Sequence, residues 1–373
     1  MARPHVDSQA LVILVVYGTT GELIKLAPVL NRLRQRGHAY LSATTAQQVE
    51  QIPPLLQQLE LPAPDLWLGR GAGGRDLRTN SDVPRWLATV LTRFVRHGRG
   101  LRHGLRAGPG KPLVLVHGDT MTTVLGASMG RALRTGVAHI EGGLRSYDWR
   151  NPFPEELNRR AASRLARIHY APGSWAASNL KSGTIVDTGS NTIRDSLQMV
   201  PADFAPPVNV PDEPYGVVSI HRYELLGDRD LLAHTLDVLE AQARRMPLLF
   251  VDHPVTAAAI DKHGLASSAT NLRRIPRLTF FPFIALLRGS EFLFTDSGGS
   301  QEECYYLDHP ALIHRMKTER REGLGENVVL SKFDFDVVRD FLSDPSKHRR
   351  TGGLPDTSPS DAIVADLVER GFV

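Results

Sequence analysis

The sequence predicts an α/β protein with two doubly wound domains, each a parallel β-sheet between layers of helices. Short apolar runs typical of buried strands alternate with helical patterns along most of the 373 residues. A proline-rich segment without periodicity, 200–214, divides this alternation into two series. A chain of this length is also long for one hydrophobic core. We therefore expect one domain at 1–199, a linker at 200–214 and a second domain at 215–373.

The composition is that of an ordinary soluble globular protein, with 42% hydrophobic and 23% charged residues. The formal charge is only +4 and the basic residues are scattered, which argues against nucleic acid as a partner. Cys304 is the single cysteine, so we expect no internal disulfide and a reducing, cytoplasmic location. The first apolar run, Leu11–Tyr17, is too short to span a membrane and is predicted to be a buried strand.

The first domain opens with a strand, a glycine turn and a helix. Backbone amides at such a turn, together with the positive end of the helix, can hold an anion. Lys25 lies one turn into the helix and could reach a diphosphate, although taken alone it indicates only a surface lysine. The elements predicted before residue 110 are strand Leu11–Tyr17, helix Leu23–Arg36, strand Ala39–Thr44, a helix from Ala46 that breaks near Pro53, strand Asp65–Leu68 and helix Val83–Val95.

Residues 69–74, GRGAGG, match the dinucleotide-binding pattern G-x-G-x-x-G. That pattern has to join a first strand directly to a helix. Here a polar stretch follows before any helical periodicity begins, so we predict a loop and no dinucleotide cofactor.

The central stretch predicts a strand–helix–strand unit at Pro112–His117, Thr120–Leu133 and Val137–Glu141. Ligands of parallel sheets bind at the carboxyl ends of the strands. The polar residues expected there are His117, Asp119, His139, Glu141, Glu155 and Glu156. Carboxylates gathered at such an edge are suited to acid–base chemistry.

A metal site is an alternative interpretation of the same edge. His117 with Asp119, and His139 with Glu141, are each two residues apart and so share a strand face. The two pairs could hold a divalent ion, as in a metal-dependent hydrolase. The simpler interpretation is that the histidines brace the neighbouring carboxylates by hydrogen bonds.

The second half restarts the alternation and contains one strong local motif, TDSGGSQEE. An apolar strand ends at Thr295, and Ser297, Gly298 and Gly299 then lead into a helix whose first amides could hold a diphosphate. Glu302 and Glu303 are expected in the first turn, and a simple capped turn is an equally good interpretation. The elements predicted in this half are strand Gly216–Ile220, helix Leu231–Arg244, strands Pro247–Val251, Leu278–Phe280, Glu291–Thr295 and Pro310–Ile313, and helix Asp361–Arg370, which could pack on either domain.

With these motifs in order, the sequence resembles the UDP-N-acetylglucosamine 2-epimerase family. The matching segments run from Gly18 to Gly323 and read GTTGELIKLAPV, LVHGDT, HIEGGLRS, PFPEELNRR, TGSNTIRDSL, IHR, FFPF, TDSGGSQEE and TERREG. The resemblance implies the glycosyltransferase-B fold, in which two Rossmann-like domains face a central cleft. It also implies interconversion of UDP-GlcNAc and UDP-ManNAc by elimination of UDP to a glycal and re-addition. The family needs no metal and no NAD, and we expect a homodimer.

The resemblance also assigns site residues. It implies Asp119, Glu141 and Glu155 as the acid–base carboxylates and His221 as a histidine near the diphosphate. The residues that it implies for UDP binding are Phe281, Phe283, Ser297, Gly298, Gly299 and Glu303, and we add Lys25 and Arg222 from their places in the sequence.

Three segments depart from the family pattern. The motif after IHR normally continues with arginine, glutamate and asparagine, but it is Tyr223-Glu224-Leu225 here. The usual GTRPE is Gly18-Thr19-Thr20-Gly21-Glu22 here, so Thr20 stands where an arginine is expected. A TAQHRQ-like segment, tied to regulation by UDP-GlcNAc in bacterial members, is only partly kept at 45–50. A UDP-sugar hydrolase, a UDP-HexNAc-dependent glycosyltransferase and a catalytically inactive nucleotide-sugar binder therefore remain open as alternatives.

Overall fold

The structure is a computed structural model that describes residues 13–77, 79, 81–148, 154–350, 352–354 and 356–373. Leu11 and Val12 of the first predicted strand, and Pro152 and Phe153 of the PFPEE motif, lie outside the described residues. The chain forms two compact units, one of Met1–Met199 with Asp356–Val373 and one of Val200–Pro355. No helix within the described residues is long and apolar enough to cross a membrane.

In the first unit, seven strands among the described residues form one parallel sheet in the order β3-β2-β1-β4-β5-β6-β7. The strands are β1 (Ile13–Tyr17), β2 (Tyr40–Thr44), β3 (Leu66–Trp67), β4 (Leu113–His117), β5 (Gly136–Ile140), β6 (Ile168–Ala171) and β7 (Thr184–Asp187). The helices are α1 (Thr20–Gln35), α2 (Ile52–Gln58), α3 (Asp82–Ala107), α4 (Met121–Leu133), α5 (Glu155–Leu165), α6 (Ser174–Ser178), α7 (Ile193–Gln198) and, from the end of the sequence, α14 (Pro359–Glu369).

Strands β1 and β4 are adjacent and both are buried along their whole length. A parallel sheet covered by helices on both faces favours continuous apolar runs of this kind. The strand order reverses between β1 and β4, and this switch point is where a doubly wound sheet opens a crevice for ligands. The turns after β1 and β4 therefore lie side by side.

Helix α4 packs closely on this sheet because it carries glycines on its inner face. A Cβ atom on Gly126 would lie 2.7 Å from a methyl carbon of Val116, and one on Gly130 would lie 2.6 Å from a methyl carbon of Val137. Since real side chains do not approach so closely, the absence of side chains at these two positions fixes the depth of α4. The start of α4 is thereby held at the carboxyl end of β4.

In the second unit, six strands among the described residues form a parallel sheet in the order β10-β9-β8-β11-β12-β13. The strands are β8 (Gly216–Ser219), β9 (Leu248–Asp252), β10 (Arg273–Pro276), β11 (Phe292–Thr295), β12 (Ala311–Ile313) and β13 (Val328–Leu330). The helices are α8 (Tyr223–Leu226), α9 (Arg229–Ala243), α10 (Pro254–His263), α11 (Phe280–Arg288), α12 (Gly298–Leu307) and α13 (Phe335–Ser343). The predicted pair of doubly wound, Rossmann-like domains is confirmed.

Helix α14 belongs to the first unit, although it follows the second in sequence. The buried carboxylate of Asp195 accepts hydrogen bonds from the Ser358 hydroxyl at 2.9 Å and from the Ser360 backbone N–H at 2.8 Å. The Tyr170 hydroxyl donates to Asp366 at 2.9 Å, and Arg32 of α1 lies 3.1 Å from Asp361. These polar contacts fix α14 against α1 and α7.

Two predicted elements are wrong. Leu278–Phe280 is not a strand, because Phe280 begins α11 and the strand of this region is β10. A short apolar run cannot be assigned to strand or helix by periodicity alone. Ala46 lies in a turn with φ +44°, and α2 begins only at Ile52. The prolines expected to break a helix stand in its first turn, where the missing N–H has no partner to lose.

Candidate active site

Asp119 lies in the turn between β4 and α4. Gly118 has φ +73°, a left-handed conformation that glycine adopts at little cost, and this brings Asp119 out at the strand end. One Asp119 oxygen accepts a hydrogen bond from Arg159 of α5 at 2.5 Å. The Asp119 side chain is 21% exposed while that of Arg159 is 3% exposed. Arg159 thus holds the Asp119 carboxylate in place, and part of that carboxylate remains accessible to solvent.

Glu141 follows β5 and is almost wholly buried. Its carboxylate forms an ion pair with Lys25 of α1 and accepts a hydrogen bond from the Asn191 amide at 2.5 Å. His117 Nε2 lies 3.8 Å from the same carboxylate. Glu141 also has φ +65°, an uncommon conformation for a residue with a side chain. The structure therefore places Lys25 beside Glu141, where the sequence suggested only that it could reach a diphosphate.

Glu155 and Glu156 open α5 but lie in different surroundings. Glu156 is fully buried and accepts hydrogen bonds from the Ser146 backbone N–H at 3.0 Å and from Arg160 Nε at 2.9 Å. Glu155 is partly exposed, and its Oε2 atom is buried without a hydrogen-bond partner among the described residues. Glu156 therefore anchors the loop that carries Ser146, and Glu155 keeps an oxygen available for a ligand. Arg159 joins this helix to Asp119.

Glu22 lies beside the candidate site, and motif reasoning gave it no role. It is buried in the first turn of α1 and accepts hydrogen bonds from the backbone N–H groups of Gly18 and Thr19, at 2.7 and 2.9 Å. The Thr120 hydroxyl, at the cap of α4, donates to it at 2.6 Å. Burial raises the pKa of Glu22, while these hydrogen bonds lower it. The spacing Thr19-x-x-Glu22 is the capping-box signal that could have revealed it.

The two histidines considered as metal ligands face different groups. His139 Nε2 lies 2.7 Å from the Gly118 carbonyl and therefore braces the backbone of the Asp119 turn. Burial lowers the pKa of His139 to about 4, so the ring is neutral at pH 7. Within the described residues, no group of three or more His, Cys, Asp or Glu side chains is placed to hold a metal ion.

In the second unit, Asp296 organises the carboxyl ends of β8 and β11. It is buried and accepts hydrogen bonds from the backbone N–H of His221 at 2.9 Å and that of Arg222 at 2.7 Å. The pKa of His221 is lowered to about 4 by burial and then by Arg222, Arg277 and Arg315. The imidazole is therefore neutral at pH 7 and lies among positively charged groups. The sequence placed Asp296 in a motif but gave it no role.

The predicted phosphate turn starts α12. Ser297 is the N-cap, and its hydroxyl accepts a hydrogen bond from the Ser300 backbone N–H. A Cβ atom on Gly298 would lie 2.9 Å from Arg320 Nη1 and 3.1 Å from a Glu319 carboxylate oxygen, whereas one on Gly299 would meet the Ser297 hydroxyl at an ordinary 3.7 Å. The helix start, where an anion is favoured, therefore lies beside Arg320, whose guanidinium also pairs with Glu302 and Glu319.

Glu302 and Glu303 lie in the second turn of α12, so their expected position in the first turn is wrong. Glu302 is fully buried and pairs with Arg320 Nε at 2.9 Å. Gln301 donates to the Glu322 carbonyl at 2.9 Å and accepts from the Thr318 hydroxyl at 2.7 Å. The TERREG loop is thus fastened to α12, a contact between two motifs that sequence reasoning treated separately.

The FFPF segment forms the first turn of α11. Phe281 is buried, with its ring edge-on to Phe204 at 5.9 Å and to Phe280 at 6.0 Å. Phe283 is only partly buried. Of the two rings proposed for uracil, Phe283 is the more accessible.

A model of the UDP-N-acetylglucosamine 2-epimerase family matches residues 110–341, more than half of the chain. The chain belongs to this family. A UDP-N-acetylglucosamine 2-epimerase from Yersinia pestis is 31% identical over 345 residues, 85% of each chain. One from Bacillus subtilis is 29% identical over 380 residues, covering 96% of this chain and 95% of the relative. The crystal structure of the Neisseria meningitidis enzyme bound to UDP-GlcNAc is 26% identical, with a TM-score of 0.79 over 96% of this chain and 100% of that one.

Two of the departures from the epimerase family pattern contact each other. The backbone N–H and the hydroxyl of Thr20 both donate to Gln48 Oε1, at 2.8 and 2.9 Å. Thr20 stands in the GTRPE-like motif and Gln48 in the TAQHRQ-like segment. The neighbouring Gln47 donates to the Thr122 hydroxyl at 2.7 Å, which ties the same segment to α4. The altered residues thus form one hydrogen-bonded group at the start of α1.

Proposed function

We propose that the protein interconverts UDP-GlcNAc and UDP-ManNAc by inverting the configuration at C2 of the sugar. The observation that carries the proposal is the set of differently held carboxylates in the first unit. Asp119 is fixed by Arg159 and partly exposed, Glu141 is buried against Lys25, and Glu155 has a buried oxygen with no hydrogen-bond partner among the described residues. Family membership and the UDP-GlcNAc bound to the Neisseria meningitidis relative support the choice of substrate.

The chemistry requires groups of this kind. A carboxylate takes the C2 proton, the C2–H electron pair becomes the C1–C2 double bond, and the bond from C1 to the UDP oxygen breaks. The free UDP oxygen then adds back to C1 while an acid delivers a proton to the opposite face of C2. We assign Asp119, Glu141 and Glu155 to these proton transfers. Since the ion pair commits the Lys25 ammonium to Glu141, we assign Lys25 as the positioning residue for that carboxylate.

The second unit supplies the groups that we assign to UDP. The Ser297 hydroxyl and the amides of Gly298 and Gly299 at the start of α12 would bind the diphosphate, because a helix start favours negative charge. Neutral His221 can donate a hydrogen bond to the departing oxygen, and Arg222 adds charge. We assign Glu303 to the ribose hydroxyls and the Phe281 and Phe283 region to the uracil.

The test is incubation with UDP-GlcNAc in deuterated water, followed by proton NMR. We expect UDP-ManNAc to appear with deuterium at C2. Asp119→Asn should abolish exchange at C2 while UDP affinity stays within about threefold of wild type, because Asp119 belongs to the sugar side. Asp261→Asn, an exposed change on α10, is the matched control and should leave turnover intact. Near-wild-type exchange by Asp119→Asn would remove Asp119 from the mechanism.

Hydrolysis or glycosyl transfer is the second candidate, and Thr20 is the observation that favours it. A bidentate arginine is among the strongest ligands of a diphosphate, and its loss weakens retention of UDP between the two half-reactions. Free UDP without C2-inverted sugar would identify a hydrolase. UDP release that requires an added acceptor would identify a transferase, and binding without any turnover would identify a sensor.

We further propose that the protein acts as a homodimer in the cytoplasm. Leu91 and Val95 of α3 are 45% and 76% exposed, and apolar side chains on an open helix face suit contact with a second copy. Light scattering after size exclusion would measure the mass directly, and a monomer at micromolar concentration would contradict the proposal.

A further inference from the structure

A pocket opens in the first unit, and none of its lining residues is assigned to catalysis or UDP binding. It has a volume of about 490 Å³ and lies between the loop after β5, helix α5 and the segment that joins α6 to β7. The lining includes the cations Arg145, Arg160, Arg164 and Lys181 and the hydroxyls of Ser163 and Ser182. Pockets that hold small molecules have volumes of roughly 300–1,000 Å³.

The lining is strongly and one-sidedly charged. Four of its side chains are cations and none is a carboxylate. The charge of Arg160 is compensated by Glu156, whose Oε1 atom lies 2.9 Å from Arg160 Nε. Within the part of the chain that the structure describes, Arg145, Arg164 and Lys181 have no carboxylate within ion-pair distance. The pocket therefore has an excess of positive charge.

Arg145 is the most enclosed of these cations and is held in a fixed position. Its guanidinium donates to the Leu144 carbonyl at 2.7 Å and to the Ser163 hydroxyl at 3.0 Å. Both acceptors are neutral, so these bonds orient the charge without compensating it. The pKa of Arg145 is lowered by burial, and Arg160 and Arg159 lower it further although Glu156 opposes them. A negatively charged ligand would offset the repulsion between Arg145 and the neighbouring arginines.

Ordinary structural roles explain only part of this cluster. Arg164 stands in the last turn of α5, where a cation is favourable, and Arg160 forms an i,i+4 pair on the same helix. Arg145 and Lys181 belong to two other segments and gain nothing from that helix end. Their convergence on one concave surface, beside three serine hydroxyls, indicates a binding site.

We propose that this pocket binds a phosphate-bearing small molecule with at least two negative charges. Planar guanidinium groups match the oxygens of a phosphate in a bidentate manner, and Lys181 adds a mobile point charge. The hydroxyls of Ser163 and Ser182 offer neutral donors for the remaining oxygens, whereas the Ser178 hydroxyl donates to the Trp175 carbonyl and the Asn179 amide to the Gly143 carbonyl. The site is connected to the candidate active site, since Arg160 and Arg159 share Glu156, and Arg159 pairs with Asp119.

Isothermal titration of the full chain with inorganic pyrophosphate tests the proposal. We expect two classes of site in the wild type, one in this pocket and one at the start of α12. The double variant Arg164→Gln/Lys181→Gln should weaken one class by at least tenfold, about 1.4 kcal/mol, and leave the other unchanged. Both residues are exposed, so the variant should fold normally. Gly298→Val should weaken the other class alone.

Arg131→Gln/Lys262→Gln is the matched control, because it removes the same two charge types at exposed positions outside the pocket. A titration with UDP then identifies the source of the phosphate. Two UDP sites, one lost in the pocket variant, mean that the pocket accepts nucleotide diphosphates. One UDP site with two pyrophosphate sites means that it accepts free phosphate anions. A single pyrophosphate class that the pocket variant leaves unchanged would overturn the proposal.

Discussion

Lys25→Met distinguishes two possible roles of Lys25 in α1. The sequence suggested that Lys25 binds a diphosphate, whereas the structure shows it in an ion pair with Glu141. The change removes the ammonium group and keeps an apolar side chain of similar length. The side chains of Lys25 and Glu141 are 9% and 4% exposed. Removing one partner of a buried ion pair costs about 3–5 kcal/mol, because the other charge is left in a poorly solvated place. Asn191 and His117 remain near the carboxylate and offset part of this loss. We therefore expect the free energy of unfolding to fall by about 3 kcal/mol.

Urea denaturation at pH 7.5 measures this loss. Glu141→Gln and the double variant complete a thermodynamic cycle, and the double variant should lose at least about 1 kcal/mol less than the sum of the single variants. Lys262→Met, on an exposed surface, should change stability by no more than about 0.5 kcal/mol. A loss below about 1 kcal/mol for Lys25→Met would refute the ion-pair reasoning. If such a stable variant also bound UDP tenfold more weakly, Lys25 would be a diphosphate ligand.

Three further predictions concern separate parts of the molecule. Burial lowers the pKa of His139 to about 4 from 6.5, so between these values only the unfolded chain takes up the proton. Lowering the pH from about 6.5 to about 5 should therefore cost the wild type about 1–2 kcal/mol more stability than His139→Gln in urea titrations, and equal slopes would contradict this. Gly298→Val should weaken UDP binding at least tenfold, about 1.4 kcal/mol, because the added Cβ would lie 2.9 Å from Arg320 Nη1. Unchanged UDP affinity in a folded variant would mean that UDP binds elsewhere. Thr20→Arg removes the hydrogen bond from the Thr20 hydroxyl to Gln48 and adds a guanidinium that can bind the diphosphate. Since a charge-assisted hydrogen bond contributes about 1.5–3 kcal/mol, the ratio of free UDP to C2-inverted sugar should fall about tenfold. With Thr20→Gln as the uncharged control, a negligible ratio in all three proteins would remove the leakage argument.

The positions of the carboxylates could be predicted because chain connectivity decides them. A buried strand, a turn and a helix bring Asp119 to the carboxyl end of β4, and the next strand does the same for Glu141. The parallel order of β4 and β5 then makes the two ends neighbours. Strong local patterns therefore placed one edge of the first sheet correctly.

The partners of these carboxylates could not be predicted in the same way. Arg159 is 40 residues from Asp119, and Lys25 is 116 residues from Glu141. The packing of a helix decides which of its faces meets the strand ends. The glycines on the inner face of α4, for example, decide how closely that helix approaches the sheet. Sequence spacing alone leaves Lys25 free to face solvent, a ligand or another side chain. Asp296 shows the same limit, because it binds backbone N–H groups of the turn after β8, which is distant in sequence.

The errors in the second unit have a related cause. Leu278–Phe280 is apolar enough for a strand, but Thr279 is the N-cap of α11 and the apolar residues continue along that helix. The start of α12 was expected later in the sequence than Gly298, which shifted Glu302 and Glu303 into the wrong turn. Local composition identified both segments, and hydrogen bonding decided where each helix began.

The place of α14 in the first unit has a consequence for the order in which the protein folds during synthesis. The whole of Val200–Pro355 is synthesised before the residues that complete the first sheet's helical cover. At roughly 5–20 residues per second, this interval lasts on the order of ten to thirty seconds. During that time α1 and α7 lack the contacts that Ser358, Ser360 and Asp361 provide. The first unit is thus completed last. Limited proteolysis of ribosome-bound chains that carry an added C-terminal extension would show the first unit becoming resistant only after residue 369 has emerged from the exit tunnel.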